Sequence, residues 1–112
     1  MSTATMMNCI EISEPGGPEV LKPAERPIPA AGPGELLIAV AAAGINGPDL
    51  MQRRGLYPAP KGASDLLGLE VAGTVSAVGR DVEGWFEGDA VCGLANGGGY
   101  AEFCAVDAAH CL

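Results

Sequence analysis

Apolar and polar positions along the chain fall into short blocks separated by turn residues. Residues 7–13 (M-N-C-I-E-I-S) read as a first strand, halted by Glu14-Pro15-Gly16-Gly17-Pro18. Residues 19–29 hold three prolines with apolar residues between them, which suits an edge strand or an extended arm. Pro33-Gly34 makes a turn. Residues 35–43 (E-L-L-I-A-V-A-A-A) then form the most apolar strand, patterned for burial on both faces. Residues 67–79 read as a long strand. At period two, Leu67, Leu69, Val71, Val75 and Ala77 share one face, and Glu70, Ala72, Thr74, Ser76 and Val78 share the other. Gly73 inside it signals a bulge or a close backbone approach. Strands at residues 90–95 and 100–106 follow, separated by Asn96-Gly97-Gly98-Gly99. Short strands at this spacing predict a mainly β chain, a small barrel or a sandwich.

One segment breaks the β pattern. After Gly44-Ile45, Asn46 is a good helix N-cap, Pro48 fits the first turn, and Asp49 stands three residues on, as in a loose capping box. Gly55 is a natural stop, so residues 47–54 should form a short helix. Leu56-Tyr57-Pro58-Ala59-Pro60 leaves it as a rigid loop.

Length and composition narrow the picture. The 112 residues suit one domain, and 48% apolar content suits a folded one. Only one Trp, two Tyr and two Phe are present, so the core must be built mainly from Val, Leu, Ile and Ala. A net charge of −8 argues against a nucleic-acid partner. Half of the six basic residues are Arg53, Arg54 and Lys61. The two arginines either close the helix against its dipole or form a positive patch facing an anion. The four cysteines, Cys9, Cys92, Cys104 and Cys111, include no C-x-x-C pair and no signal peptide precedes them. That pattern predicts reduced thiols in a cytosolic or organellar protein. The longest apolar run, residues 36–45, is too short to span a bilayer.

Much familiar chemistry is missing. No G-x-G-x-x-G or P-loop occurs. His110 is the only histidine and reads as structural or solvated, so neither a Ser-His-Asp nor a Cys-His set can be assembled. Glu83, Glu87 and Asp89 flank turns and read as a solvated acidic edge.

Residues 68–82 (G-L-E-V-A-G-T-V-S-A-V-G-R-D-V) resemble the signature of the zinc-type alcohol dehydrogenases in the medium-chain dehydrogenase/reductase superfamily. Gly68, Glu70, Gly73 and Gly79 match it. Leu69 stands where the zinc enzymes have histidine, and Asn46 stands where their Gly-Ile-Cys-Gly-Thr-Asp motif has the metal-binding cysteine. Leucine cannot ligate zinc, and a neutral amide replaces thiolate poorly. The four-cysteine structural-zinc loop that follows the strand resembling Val91-Cys92-Gly93 is absent too. The chain is therefore most similar to the zinc-free quinone oxidoreductases of the zeta-crystallin type. The Asp49–Gly55 stretch and Tyr57 lie nearest the branch of the p53-inducible quinone reductase.

The resemblance implies a mainly β fold with one or two short helices, a GroES-like, partly open β-barrel, over residues 1–112. It implies that the Rossmann domain and a C-terminal return segment of such enzymes lie outside these residues. The whole enzyme is expected to be cytoplasmic and homodimeric, to use NADPH without zinc, and to pass hydride to a quinone or activated enone. Asn46 and Tyr57 are the catalytic and cofactor-binding candidates, as donors toward a carbonyl oxygen that gains charge. Asn46 can serve as cap and donor together, because its oxygen and its NH₂ are separate groups. Tyr57 can instead be a loop packing residue. Glu70 is expected to be paired with a partner such as Arg53, or exposed. A free-standing module without catalysis and an enoyl-thioester reductase are the competing readings. The 112 residues alone are expected to be inactive.

Overall fold

The computed structural model describes residues 5–112. Six strands carry the fold: β1 (Met6–Ile12), β2 (Leu21–Pro27), β3 (Glu35–Ala43), β4 (Glu70–Val78), β5 (Ala90–Leu94) and β6 (Phe103–Asp107). One α-helix, α1 (Gly47–Arg53), and two 3₁₀ turns, Pro18–Val20 and Ala108–His110, complete it among the described residues. β1 and β2 form an antiparallel hairpin, and the other four form an antiparallel sheet in the order β5-β4-β3-β6. No helix among the described residues is long and apolar enough to cross a membrane.

The core lies on one face of the four-stranded sheet. Leu36 and Ile38 of β3, Val71 and Val75 of β4, Val91 of β5, and Cys104 and Val106 of β6 form one buried cluster. Each pair is two or four residues apart, so the pleat sends both side chains inward. Burying each Leu, Ile or Val contributes about 1.5–3 kcal/mol. Expected burial of β3 on both faces holds only for Leu36, Leu37 and Ile38. Ala41, Ala42 and Ala43 are exposed, because β6 pairs only with the first half of β3.

Gly73 is the close backbone approach that its position suggested. A Cβ there would sit 1.9 Å from the Ala39 carbonyl oxygen on β3. Two irregularities flank this contact. Ser76 is an extra residue on β4 between the Leu37↔Ala77 and Ile38↔Val75 pairs, and Ala41 is an extra residue on β3 between Val40↔Gly73 and Ala42↔Ala72. β4 begins at Glu70 and not at residue 67. Gly68 has φ +108°, which ends the extended run there.

The sheets are not sealed into a continuous barrel. β2 is an edge, and its prolines cannot donate along a ladder, which blocks further pairing. β1 meets the rest through residues 100–102: Ile10 N–H donates to the Tyr100 carbonyl at 2.9 Å, and Glu102 N–H to the Asn8 carbonyl at 3.1 Å. That detour is why β6 starts at Phe103 rather than at residue 100. The outer edge of β5 is covered by Leu112, whose backbone exchanges hydrogen bonds of 3.0 and 2.8 Å with Cys92. The result is the mainly β, partly open arrangement that the resemblance implied.

Candidate active site

The site begins with the local chemistry of the helix start. Asn46 has extended backbone angles (φ −127°, ψ 162°) and caps α1, Pro48 lies in its first turn, and Asp49 is its third residue. Asn46 N–H donates to Asp49 Oδ2 at 3.0 Å. The Asn46 side-chain oxygen faces the Asp49 amide in the sense of a capping box without closing a well-formed hydrogen bond. Gly55, with φ +80°, stops the helix after Arg54.

Asp49 does more than cap. Its side chain is buried, only 1% exposed. Oδ1 accepts from Gly68 N–H at 3.1 Å, and Oδ2 accepts from Tyr100 O–H at 3.0 Å as well as from Asn46. A buried carboxylate is costly unless its oxygens are answered, and three donors answer this one. It ties together the start of α1, the turn before β4 and the turn before β6. Gly68 makes this possible, since a Cβ there would lie 2.6 Å from the Gly99 Cα. The Tyr100 hydroxyl is pushed up to about 12, chiefly by burial and then by its hydrogen bond to the Asp49 carboxylate.

Asn46 is half-buried, and its Nδ2 donates to Glu70 Oε1 at 3.1 Å. Glu70 is exposed at the head of β4, and its partner is Asn46, not Arg53. Arg53 is buried, 7% exposed, with Nε donating to the Gly16 carbonyl at 3.1 Å. It joins α1 to the β1–β2 connection. Tyr57 sits in the loop after α1, 44% exposed, and its hydroxyl has no hydrogen-bond partner among the described residues. The fold thus brings Asn46 and Glu70 together, while Tyr57 bonds to neither. Beside Glu70 lies a groove of about 530 Å³, lined mainly by apolar groups of Ala42, Ala43, Gly44, Val71 and Leu94.

Among the described residues no three of His, Cys, Asp and Glu converge to hold a metal ion. All four cysteines are free. Burial pushes the Cys104 thiol up to about 11, so it is a core group and not a nucleophile. His110 is exposed.

The alcohol dehydrogenase GroES-like domain family model matches residues 32–112, which span β3 to the end of the chain and contain Asn46, Asp49, Glu70 and Tyr100. The chain belongs to this family. A quinone oxidoreductase of Lama guanicoe is 39% identical to this GroES-like domain over 88% of the chain and 30% of its own length. A solved native structure of a mycobacterial quinone oxidoreductase superposes with TM-score 0.80 at 41% identity, covering 94% of this chain and 32% of that one. A mycobacterial relative complexed with NADPH is 41% identical, with TM-score 0.78, over 94% of this chain and 31% of that one. The chain therefore spans about a third of the length of these relatives.

The sequence marked Asn46 and Asp49 as a cap and missed the second and third partners of Asp49. Tyr100 carried no helical spacing or motif to single it out. The signal that could have found it is Gly97-Gly98-Gly99, a run that permits another backbone to lie close against the turn.

Proposed function

We propose that this domain is the substrate-side part of an NADPH-dependent, zinc-independent reductase that passes hydride to quinones or activated enones. The carrying observation is the Asn46 amide. One of its N–H groups is bonded to Glu70, the other has no partner among the described residues, and Glu70 itself lines an apolar groove. A free, oriented donor next to an apolar wall suits a flat carbonyl compound that gains negative charge on oxygen. Tyr57 O–H, unpartnered among the described residues, is the second donor. Leu69 offers no metal ligand.

When bound, NADPH supplies the hydride. Asn46 and Tyr57 are the residues of this domain that would touch the nicotinamide end of the cofactor. They fit that end only, since the chain has no glycine-rich turn for the pyrophosphate. Further parts of the proposal are a Rossmann domain and a return segment beyond these residues, a cytoplasmic location and a homodimer. An enoyl thioester presents the same conjugated carbonyl and falls within the same chemistry.

The test uses the native polypeptide that carries this domain. Its intact mass should exceed that of the 112 residues by one further domain, roughly 150 residues. It should oxidise NADPH with an ortho-quinone or an α,β-unsaturated ketone, and Asn46→Ala should lower kcat by about 10²-fold. Absence of NADPH oxidation with every such acceptor, or an Asn46→Ala enzyme as active as the parent, would overturn the reading. The 112-residue chain alone should turn over nothing.

A further inference from the structure

Asn46 is useful as a donor only if its amide is held one way round. An asparagine amide can rotate by half a turn and present its oxygen where its NH₂ was, and an oxygen facing a developing oxyanion would repel it. We infer that Glu70 is a positioning residue that holds the Asn46 amide with an N–H pointing at the substrate. This rests on the proposed reductase reading and names the group that sets up its donor.

Three observations carry the inference. Glu70 Oε1 accepts from Asn46 Nδ2 at 3.1 Å across a sequence separation of 24 residues, and a carboxylate can only accept. The amide nitrogen must therefore face Glu70. The Asn46 oxygen is turned to the start of α1, on the side of the Asp49 N–H, which itself donates to the Asn46 backbone carbonyl at 3.0 Å. With one N–H on Glu70 and the oxygen turned inward, the second N–H is the polar group of the amide left without a partner among the described residues. The third observation is Gly44. A Cβ there would lie 2.8 Å from Glu70 Cδ and 2.9 Å from Oε1. The Gly44 N–H meanwhile donates to the Glu70 carbonyl at 3.0 Å, which holds the two backbones side by side. The missing side chain at residue 44 is the space in which the carboxylate lies as it reaches Asn46.

The orientation does not require Glu70 to touch substrate, cofactor or any reacting atom. It predicts that Glu70 matters only while Asn46 is present. Glu70→Ala frees the amide to rotate. Glu70→Gln retains an acceptor oxygen and should largely restore orientation. Gly44→Ala leaves both partners intact but pushes the carboxylate aside, and Gly44 has no positive φ that alanine would strain.

The experiment has two readouts. In the native enzyme, Glu70→Ala and Gly44→Ala should each lower kcat about tenfold with little change in KM, and Glu70→Gln should recover most of it. In the Asn46→Ala background, Glu70→Ala should have no further effect. Additive losses in that double variant would overturn the inference, as would full activity of Glu70→Ala where Asn46→Ala is impaired. If Asn46→Ala is itself unimpaired, the reductase reading has failed instead. The second readout needs no turnover. The side-chain amide protons of Asn46, followed by ¹⁵N NMR in the 112-residue chain, should be well separated and slow to exchange. They should converge and exchange faster in Glu70→Ala and Gly44→Ala. An Asn46 amide signal indifferent to both substitutions would refute the orientation whatever the enzyme does.

Discussion

Tyr100→Phe removes one hydrogen bond and almost nothing else. The ring remains, and the Asp49 carboxylate keeps its two backbone donors, Gly68 N–H and Asn46 N–H. A hydrogen bond to a charged group contributes about 1.5–3 kcal/mol. Tyr100 is only half-buried, so water replaces part of it, and the expected loss is about 1–2 kcal/mol. For a domain of this size that lowers Tm by roughly 5–10 °C. The loss must also depend on pH in one direction. The hydroxyl rises from 10.0 when unfolded to about 12 when folded, so its stabilisation is complete below pH 10 and is lost as pH climbs toward 12. Urea melts of the parent and variant chains at pH 7 and across pH 9.5–11.5 (about the range of the shift) measure this. The gap between the two proteins should be widest at neutral pH and narrow with alkali. Equal stability at pH 7, or a gap unchanged at the alkaline end, would refute the account of Asp49 as the joint between three turns.

Other substitutions separate backbone contacts from surface ones. Gly73→Ala drives a Cβ into the Ala39 carbonyl and should cost more than ~3 kcal/mol, seen as loss of the dispersed amide spectrum. Asp65→Asn breaks the paired contacts of 2.6 and 3.0 Å with Arg26 at an exposed site, so chemical denaturation should register less than about 1 kcal/mol, shrinking with salt. The Arg26 guanidinium holds the Asp65 carboxyl below its ordinary 3.8, so this small contribution is present above that value and disappears as pH falls through the lowered one. Elemental analysis after chelation and dialysis against zinc should find no stoichiometric metal, since Asn46 and Leu69 supply neither thiolate nor imidazole.

The sequence was most readable where side chains act through their nearest neighbours along the chain. β3 runs over residues 35–43 as its apolar block suggests, and α1 starts and stops where Asn46, Pro48 and Gly55 place it. Gly73 announced the close approach it makes. What could not be read were contacts set by distant turns. Leu67 is buried, yet it lies outside β4, because Gly68 bends away to meet Gly99. Arg53 looked like a helix-closing cation and is held by the Gly16 carbonyl, a partner 37 residues away. Asp49 carries the same local signature as any capping aspartate. Its burial depends on Tyr100, 51 positions on, and no spacing rule links the two. Asn46 stands with the first group as a cap and with the second as a donor to Glu70.

The two extra residues at Ser76 and Ala41 sit on opposite strands, and their register offsets cancel. Pairing is in one phase at Leu36↔Val78 and Leu37↔Ala77, slips by one through Ile38↔Val75 to Val40↔Gly73, and returns to the first phase at Ala42↔Ala72. Removing either residue alone would leave one offset uncompensated and misalign one end of the β3–β4 ladder. Removing both would leave the same seven pairs stacked as an uninterrupted ribbon. The two points are thus tied: deleting one residue should disturb the ladder more than deleting both, although 34 residues lie between them.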